Sequence, residues 1–523
     1  MKDSLQKLFS IPFHPFLWAA YPVIALLAVN ADQVRAGQGL RSLLVSLLLT
    51  LILYALLRLL MGDWERAAIV AALAVVSFFA YGHLYQSVGA LGDAGYALAR
   101  HRYFIPVWIL LLLLTFLWVR RRLKDPAPFT LALNAAALLL LIFPLFRILS
   151  FESQFQAASS GPQAAATGDC GLLVPPGEQP PDVYYIILDA YARADVLQDT
   201  YDFHNQPFLD ALEARGFFVA DRSQSNYAHT ELSLSSSLNM DYLVNLGVDY
   251  GPESEERTAL WPLLRQGAVR RAFECLGYQV VTLDSGYHWT GWDDGDVYLS
   301  PLQGGAAQLQ ASRDINAFES MVINTSAGLI LSDMGSLVPA ALEASLDAPY
   351  QAHRQRILYA LDAGKNVVPS LDGPKFVFMH LLVPHSPYVF GPAGEELAAS
   401  GAFTLVAPPE KEGYVMQVEF INAQMLELVD AILEDSENPA VIVIQGDHGQ
   451  GSGARDKMSI LNAYHLPAGG EAAVYESISP VNTFRVIFNR YFDGNYPLLE
   501  DLSYYSPPDA LYRFELYPAP GPQ

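Results

Sequence analysis

The fold of the larger part of this chain is decided by residues 182–189, which read Asp182-Val-Tyr-Tyr-Ile-Ile-Leu-Asp189. The run is apolar without alternation, and such runs are typical of strands that are buried on both faces in a parallel sheet. Three further apolar runs follow at 279–283, 376–379 and 441–444, with helix-like stretches between them. Strands that alternate with helices predict a doubly wound α/β domain.

Side chains that could bind a metal ion follow each of these four runs. In chain order they are Asp189, then Asp284 with Ser285, then His380 and His385, and finally Asp447 with His448. In open α/β sheets, ligands bind in the crevice beyond the carboxyl ends of the strands. We therefore expect these carboxylates and imidazoles to converge on a divalent cation at one edge of the sheet.

The composition divides the chain into two contrasting parts. The 523 residues are 52% apolar and only 16% charged, which excludes a disordered chain. Residues 1–150 hold 13 lysines and arginines against 6 aspartates and glutamates, so their net charge is +7 and that of the remainder is -30. Because nucleic-acid interfaces need Lys and Arg to neutralise phosphates, the acidic remainder argues against nucleic acid as a partner.

The first part predicts a multi-pass protein of the cell membrane, with the lipid bilayer as its partner. A bilayer core needs roughly 20 apolar residues in a helix, and five stretches qualify, at 7–32, 42–61, 67–85, 102–120 and 125–147. The densest basic cluster, Arg120 to Lys124, is placed in the cytoplasm by the positive-inside rule. Five spans with the N-terminus inside then send the acidic part to the extracytoplasmic side.

These patterns predict three segments. Residues 1–150 form the five-span transmembrane domain, residues 151–181 form a linker rich in Ala, Ser, Gly and Pro, and residues 182–523 form the extracytoplasmic catalytic domain. The two cysteines, Cys170 and Cys275, allow at most one disulfide, and whether they pair is left open.

Four motifs resemble the sulfatase and alkaline phosphatase superfamily. The stretch 181–190 resembles its opening strand, 225–240 its nucleophile helix, Val383-Pro-His-Ser-Pro-Tyr388 its P-H-x-P loop, and Gly446-Asp-His-Gly449 its metal motif. With the five-span front, the chain is most similar to the branch of lipoteichoic acid synthase and the phosphoethanolamine transferases. The C/S-x-P-x-R signature of formylglycine sulfatases is absent from the sequence, which counts against that class.

The resemblance implies a fold, a cofactor and a set of site residues. The fold is alkaline-phosphatase-like, and the cofactor is one divalent metal ion, zinc or manganese. Its ligands are Asp189, Thr230, Asp447 and His448, with Thr230 as the nucleophile and His385 as an acid or stabilising group. From the residues alone, Thr230 could instead be only the N-cap of the helix-like run 231–240, and Ser233 is an alternative nucleophile.

The roles of several other residues are left open by the sequence. His380 supports the site or is structural. His465 binds substrate, binds a second ion or is structural. Lys457 contacts an anionic substrate or lies at the surface. Tyr287, His288, Trp289 and Trp292 line an acceptor pocket or pack in the core.

The function that these features predict is a metal-dependent phosphotransferase or phosphodiesterase acting on a lipid or cell-envelope glycan at the outer leaflet. Transferase and hydrolase differ only in whether an alcohol or water accepts the phosphoryl group, and the sequence leaves this open. The alternatives are a sulfuric ester hydrolase and a catalytically inactive, membrane-anchored binding module. Substrate, metal identity and oligomeric state are also left open.

Overall fold

A computed structural model describes residues 10–31, 34–159, 171–248, 250–302, 314–334, 337, 339–397, 410–451 and 453–518. The chain forms two compact units. The first comprises Met1–Gln154 and Leu309–Pro349, and the second comprises Phe155–Gln308 and Tyr350–Gln523.

The described helices are α1 (His14–Val29), α2 (Leu40–Met61), α3 (Trp64–Gly89), α4 (Asp93–Leu98), α5 (His101–Arg121), α6 (Ala127–Ser159), α7 (Ala194–Tyr201), α8 (Gln206–Glu213), α9 (Thr230–Ser237), α10 (Leu260–Arg265), α11 (Ala268–Cys275), α12 (Ala317–Asn324), α13 (Leu329–Ser332), α14 (Ala340–Asn366), α15 (Glu410–Asp435), α16 (Ala454–Met458) and α17 (Pro480–Tyr491). Short 3-10 helices lie at Ala36–Gly39 and Gly470–Ala473. The strands are β1 (Asp182–Leu188), β2 (Phe217–Val219), β3 (Gln279–Leu283), β4 (Val297–Leu299), β5 (Lys375–Leu381), β6 (Ala440–Gly446), β7 (Asn462–His465), β8 (Ser503–Tyr505) and β9 (Glu515–Tyr517).

The predicted spans appear as helices of the first unit. Four helices in the described residues, α2, α3, α5 and α6, are long and apolar enough to cross a membrane. The first predicted stretch forms α1, which is apolar but only 16 residues long and contains Pro22. Because roughly 20 residues are needed to cross a bilayer core, α1 falls short of the length that the prediction gave it.

The described residues between 314 and 349 group with the first unit rather than the second, whereas the predicted boundaries placed them in the catalytic domain. Their helices α12 and α13 contact α2 and α3 through backbone and charged groups. The amide of Ala327 donates to Phe78 O at 2.8 Å, and Arg41 forms an ion pair with Glu319. The contacts of this segment are thus with the apolar helices, although its sequence lies between two parts of the second unit.

The second unit is built on a seven-stranded sheet in the order β2-β7-β6-β1-β5-β3-β4. The strands from β6 to β4 pair in parallel, whereas β7 runs antiparallel to β6 and β2. The four predicted strands are all present. The sequence pattern did not predict strands β2, β4 and β7, which are only three or four residues long.

Helices cover both faces of this sheet, as a doubly wound fold requires. Tyr184, Ile186 and Leu188 of β1 belong to a core cluster that also includes residues of α14 and α15. Tyr185 points to the other face, where its ring lies 4.9 Å from that of Phe484 in α17. All seven residues of β1 are buried, which explains its uninterrupted apolar sequence.

Candidate active site

Three of the predicted metal ligands converge at the carboxyl edge of the sheet. Asp189 follows β1, and Asp447 and His448 follow β6. Because β1 and β6 pair with Leu188 opposite Gly446, the residues that follow them are neighbours. One ligand atom from each residue lies within 4.8 Å of the other two.

The two carboxylates have the properties expected of cation ligands. Asp189 Oδ1 and Asp447 Oδ2 are buried and have no hydrogen-bond partner among the described residues. Burial, together with the nearby charge of Asp189, raises the pKa of Asp447 to about 6. Burial acts in the same direction on Asp189, but His385, His380 and His448 outweigh it and hold its pKa below the usual range. A bound cation would offset both the burial and the repulsion.

His448 is held in the form that can bind a metal. Its Nδ1 lies 2.9 Å from Gly449 O, so Nδ1 carries the proton and Nε2 presents its lone pair to the site. Burial, and then the charge of Lys457, lowers the pKa of His448 to about 3. The imidazole is therefore neutral near pH 7, which is the state that ligates a metal.

Thr230 lies beside His448, in the first turn of helix α9. Its Oγ1 is 3.2 Å from His448 Nε2. Thr230 is the first residue of α9, whose N-cap is His229 and whose N-cap makes no side-chain hydrogen bond. The alternative that Thr230 serves only as an N-cap is therefore wrong. Its position at the start of α9 also places free backbone N–H groups beside the site.

Ser233, the alternative nucleophile, has a different role. It is fully buried and its hydroxyl donates to the backbone oxygen of Asp447 at 2.7 Å. Ser225 Oγ lies 2.5 Å from the same oxygen. Both hydroxyls are thus engaged by the backbone oxygen of Asp447, and these contacts hold Asp447 in place.

His385 is brought to the edge of the site by its loop. Its backbone amide donates to Asp189 O at 3.1 Å, and its ring lies 6.5 Å from that of His448. The loop is fixed by the fully buried Gln417 of α15, whose amide donates to Pro384 O and His385 O. The imidazole itself is partly exposed, so a substrate can reach it.

His380 supports the site from behind. Its Nε2 is 3.3 Å from Asp189 Oδ2, and its Nδ1 is 3.0 Å from the hydroxyl of Thr290. The ring is 2% exposed. This arrangement orients a ligating carboxylate, which is the supporting role that the sequence left open.

Two residues that were expected near the cation lie elsewhere. Asp284 accepts hydrogen bonds from Ser300 and from the Gly286 amide and is not part of the ligand cluster. His465 lies in β7, and its Nδ1 contacts Ala440 O at the start of β6. Since a strand rises about 3.3 Å per residue, that end of β6 is about 20 Å from Asp447. His465 therefore lies away from the ligand cluster.

The remaining candidates divide between site and core. Lys457 Nζ lies 3.4 Å from His448 Nδ1, so its charge belongs to the site. Trp292 is fully buried and its ring stacks on Phe378 at 4.5 Å, which is core packing. Tyr287 stacks on Trp289, and Trp289 lies 6.1 Å from the ring of His380.

The sequence reading missed residues that set the backbone of the site. Ala190 adopts φ 62°, and this turn lets its amide donate to Asp447 Oδ1 at 2.9 Å. Tyr414 fixes the turn by donating to Ala190 O at 2.8 Å. Gly449 is needed because a Cβ there would lie 2.0 Å from the backbone oxygen of Asp456. Only the glycine has a signal in the sequence, as the last residue of the Asp-His-Gly motif.

Comparison with known proteins finds similarity of structure alone. No protein-family profile matches the chain, and no curated protein matches its sequence. The structure is similar to the C-terminal periplasmic domain of EcEptC from Escherichia coli in complex with zinc, with 14% identity, a TM-score of 0.40, and coverage of 64% of this chain and 91% of that chain. It is also similar to the integral membrane lipooligosaccharide phosphoethanolamine transferase A from Neisseria meningitidis, with 13% identity, a TM-score of 0.39, and coverage of 91% and 93%.

A third similar structure is the phosphonate monoester hydrolase of Agrobacterium radiobacter, with 15% identity, a TM-score of 0.38, and coverage of 62% of this chain and 80% of that chain. Sulfatases are also among the similar structures. These structures share 13–15% of their residues with this chain, with TM-scores of 0.40 or less.

Proposed function

We propose that this chain is a membrane-anchored, metal-dependent phosphotransferase or phosphodiesterase in which Thr230 is the nucleophile. The observation that carries the proposal is the position of Thr230 Oγ1, 3.2 Å from His448 Nε2, where His448 converges with Asp189 and Asp447. A hydroxyl is a weak nucleophile unless a base or a metal favours the alkoxide. Such assistance is available to Thr230 here.

Asp189, Asp447, His448 and the Thr230 oxygen would hold one divalent ion. Zinc and manganese both fit a mixed set of carboxylate and imidazole ligands. When bound, the ion supplies positive charge that stabilises anionic oxygens at the reacting centre. The buried oxygens of Asp189 and Asp447 that lack hydrogen-bond partners among the described residues support this assignment.

The side chains support a two-step transfer. Thr230 Oγ1 gives up its proton to solvent and attacks phosphorus, and the bond from phosphorus to the leaving alcohol breaks as the bond to Thr230 forms. The leaving oxygen takes up a proton, and His385, partly exposed at the rim, is placed to donate it. A second alcohol, or water, then gives up its proton to the His385 imidazole and attacks the phosphorus, the bond from phosphorus to Thr230 Oγ1 breaks, and that oxygen takes a proton from solvent to restore the hydroxyl. The backbone N–H groups at the start of α9 suit the phosphoryl oxygens in both steps.

The location of this chemistry is part of the proposal. Four helices can cross a membrane by length and composition, and the basic cluster at Arg120 predicts that the catalytic unit is extracytoplasmic. Cys275 is disulfide-bonded, and disulfides persist in oxidising, extracytoplasmic compartments. The only other cysteine, Cys170, lies outside the described residues. We therefore propose a lipid or cell-envelope glycan at the outer leaflet as substrate.

The test uses the purified full chain in detergent with its metal content measured. Incubation with phospholipid should add a phosphoryl or phospho-alcohol group to the peptide that contains Thr230, detected by mass spectrometry. Release of sulfate from an aryl sulfate, with no such adduct, would favour the sulfatase alternative. A folded protein that binds no divalent metal would favour an inactive binding module.

A further inference from the structure

A second pair of side chains that could bind an anion lies further along the same edge of the sheet. It consists of His353 and Arg356 of α14, and neither belongs to the ligand cluster. They are three residues apart, so they share one side of the helix. Neighbouring residues Tyr350 and Ile357 are buried in the core, which fixes the orientation of this part of α14 against the sheet.

Arg356 is pressed against the turn that follows β3. Its Nε lies 3.5 Å from Asp284 Oδ1, and a Cβ on Gly286, which has φ 94°, would lie 2.8 Å from its Nη1. Yet both carboxylate oxygens of Asp284 already accept hydrogen bonds, from the Gly286 amide and from Ser300. Arg356 Nε is buried and has no hydrogen-bond partner among the described residues. The guanidinium is therefore held in place with donor capacity unused.

His353 lies one turn before Arg356 on α14. Burial, and then the charges of Arg356 and His385, lower its pKa to about 3, and Asp189 also acts on it. Its Nε2 is buried without a hydrogen-bond partner in the described part of the chain. Buried polar groups without partners are uncommon. An anionic ligand on this side of α14 would give both nitrogens a hydrogen-bond partner.

The strand order sets the distance to the metal ligands. β5 lies between β1, which carries Asp189, and β3, which carries Asp284. Neighbouring strands are about 4.8 Å apart, so these two carboxylates are separated by about 10 Å along the sheet edge. A substrate could span this distance with a few bonds between its two ends.

We propose that His353 and Arg356 form a subsite for a second oxyanion, a phosphate or carboxylate group, of the substrate. The inference rests on the proposed function, and it narrows the substrate class to esters that carry another anionic group about 10 Å or less from the reacting phosphorus. Arg supplies planar donors that match such oxyanions. His353 Nε2 adds a donor beside them.

The experiment measures binding of inorganic phosphate to the full chain in detergent by calorimetry, with zinc and with a chelator. Wild-type protein should bind phosphate in the chelator, because this subsite needs no metal. Arg356→Gln and His353→Gln should each weaken that binding at least tenfold. Lys365→Gln is the matched control, because it removes a cation from the same helix. Lys365 pairs with the exposed Glu427, so this variant should bind phosphate like wild type.

Asp284→Asn keeps the test decisive if Arg356→Gln does not fold. It removes the carboxylate that competes for Arg356 and should tighten phosphate binding severalfold. Phosphate binding that needs zinc, or that is unchanged in a folded Arg356→Gln or in Asp284→Asn, would overturn the subsite but leave the metal chemistry standing. Protein that binds no zinc but still binds phosphate would instead count against the proposed function.

Discussion

The hydroxyl of Thr230 lies 3.2 Å from Nε2 of His448, although 218 residues separate the two along the chain. Thr230 begins α9 and His448 follows β6, so the contact joins a helix start to a strand end. Helix starts offer free N–H groups, and the ends of parallel strands are where α/β domains bind ligands. The contact therefore combines a nucleophile, a neutral imidazole and anion-binding amides in one place.

Thr230→Ala should abolish turnover while the protein stays folded. The variant removes the attacking oxygen, and the loss should reach several powers of ten because the neighbouring hydroxyl of Ser233 is engaged by Asp447 O. The stability change should be small, since Thr230 is not the N-cap of α9. Activity is measured by phosphoryl release from a phosphodiester, and folding by thermal unfolding.

Two further variants separate the roles at this position. Thr230→Ser keeps the hydroxyl and should retain measurable turnover. Ser233→Ala should stay active but lose about 1 kcal/mol of stability, because it breaks the hydrogen bond to Asp447 O. An inactive Ser233→Ala together with an active Thr230→Ala would transfer the nucleophile to Ser233.

Asp447→Asn should lower metal occupancy and activity together. Asp447 offers a buried carboxylate oxygen without a partner among the described residues, and an amide is a much weaker ligand for zinc or manganese. Bound metal is counted by elemental analysis after dialysis. Asp430→Asn is the control, because Asp430 is exposed and pairs with Arg215. Equal metal content in both variants would remove Asp447 from the ligand set.

His380→Ala should weaken metal binding without removing a ligand. The ring of His380 orients Asp189 through a 3.3 Å contact, and loss of such supporting groups typically costs about 10- to 100-fold in metal affinity. Excess zinc should therefore restore most of the activity of His380→Ala, whereas it should not restore that of Thr230→Ala. A titration of activity against free zinc distinguishes the two behaviours.

The sequence was sufficient to predict that Asp189, Asp447 and His448 lie together, because they follow long, fully apolar strands. Strand ends are readable from hydrophobic runs, and the strand pairing then brings the ends together. The reading failed for Asp284, which also follows such a run, since its position two strands from β1 depends on a strand order that no local pattern encodes. The position of His465 was not predictable either, because β7 is antiparallel to β6 and presents its last residue to the opposite edge.

The residues that support the backbone of the site could not be predicted from the sequence, for a different reason. Tyr414 and Gln417 lie in the first third of the long helix α15, where nothing distinguishes them from other aromatic or polar positions. Their roles depend on tertiary contacts with the loop at Pro384 and the turn at Ala190. The contacts of Arg41 with Glu319 and of Ala327 with Phe78 likewise join distant segments, and no local pattern encodes them.

The orientation in the membrane can be tested by cysteine labelling. Arg121→Cys should be shielded from a membrane-impermeant thiol reagent in intact cells, and Ser160→Cys should react, because the basic cluster predicts a cytoplasmic position for residue 121. Free cysteines are absent from the described residues, so background labelling should be low. The reverse pattern would overturn the orientation and the outer-leaflet substrate with it.

The buried ion pair at the base of the sheet gives a prediction about stability alone. Lys375 Nζ lies 2.8 Å from Asp182 Oδ2, and both side chains are at most 1% exposed. Asp182 Oδ1 also accepts from the Lys375 amide and from Asn438, so this carboxylate joins β1 to β5 and to the loop before β6. Lys375→Met should leave the charge of Asp182 uncompensated in the core. The loss should be about 3–5 kcal/mol in the free energy of unfolding.

The control for this variant is Lys365→Gln, which breaks an ion pair with the exposed Glu427. Exposed pairs contribute about 0–1 kcal/mol, so its unfolding curve in urea should nearly superimpose on that of wild type. Lys375→Met should unfold at much lower urea, and adding Asp182→Asn should recover part of the loss because the unpaired charge is removed. If Lys375→Met is as stable as Lys365→Gln, the pair does not stabilise the junction of β1 and β5, and the buried strands themselves hold it together.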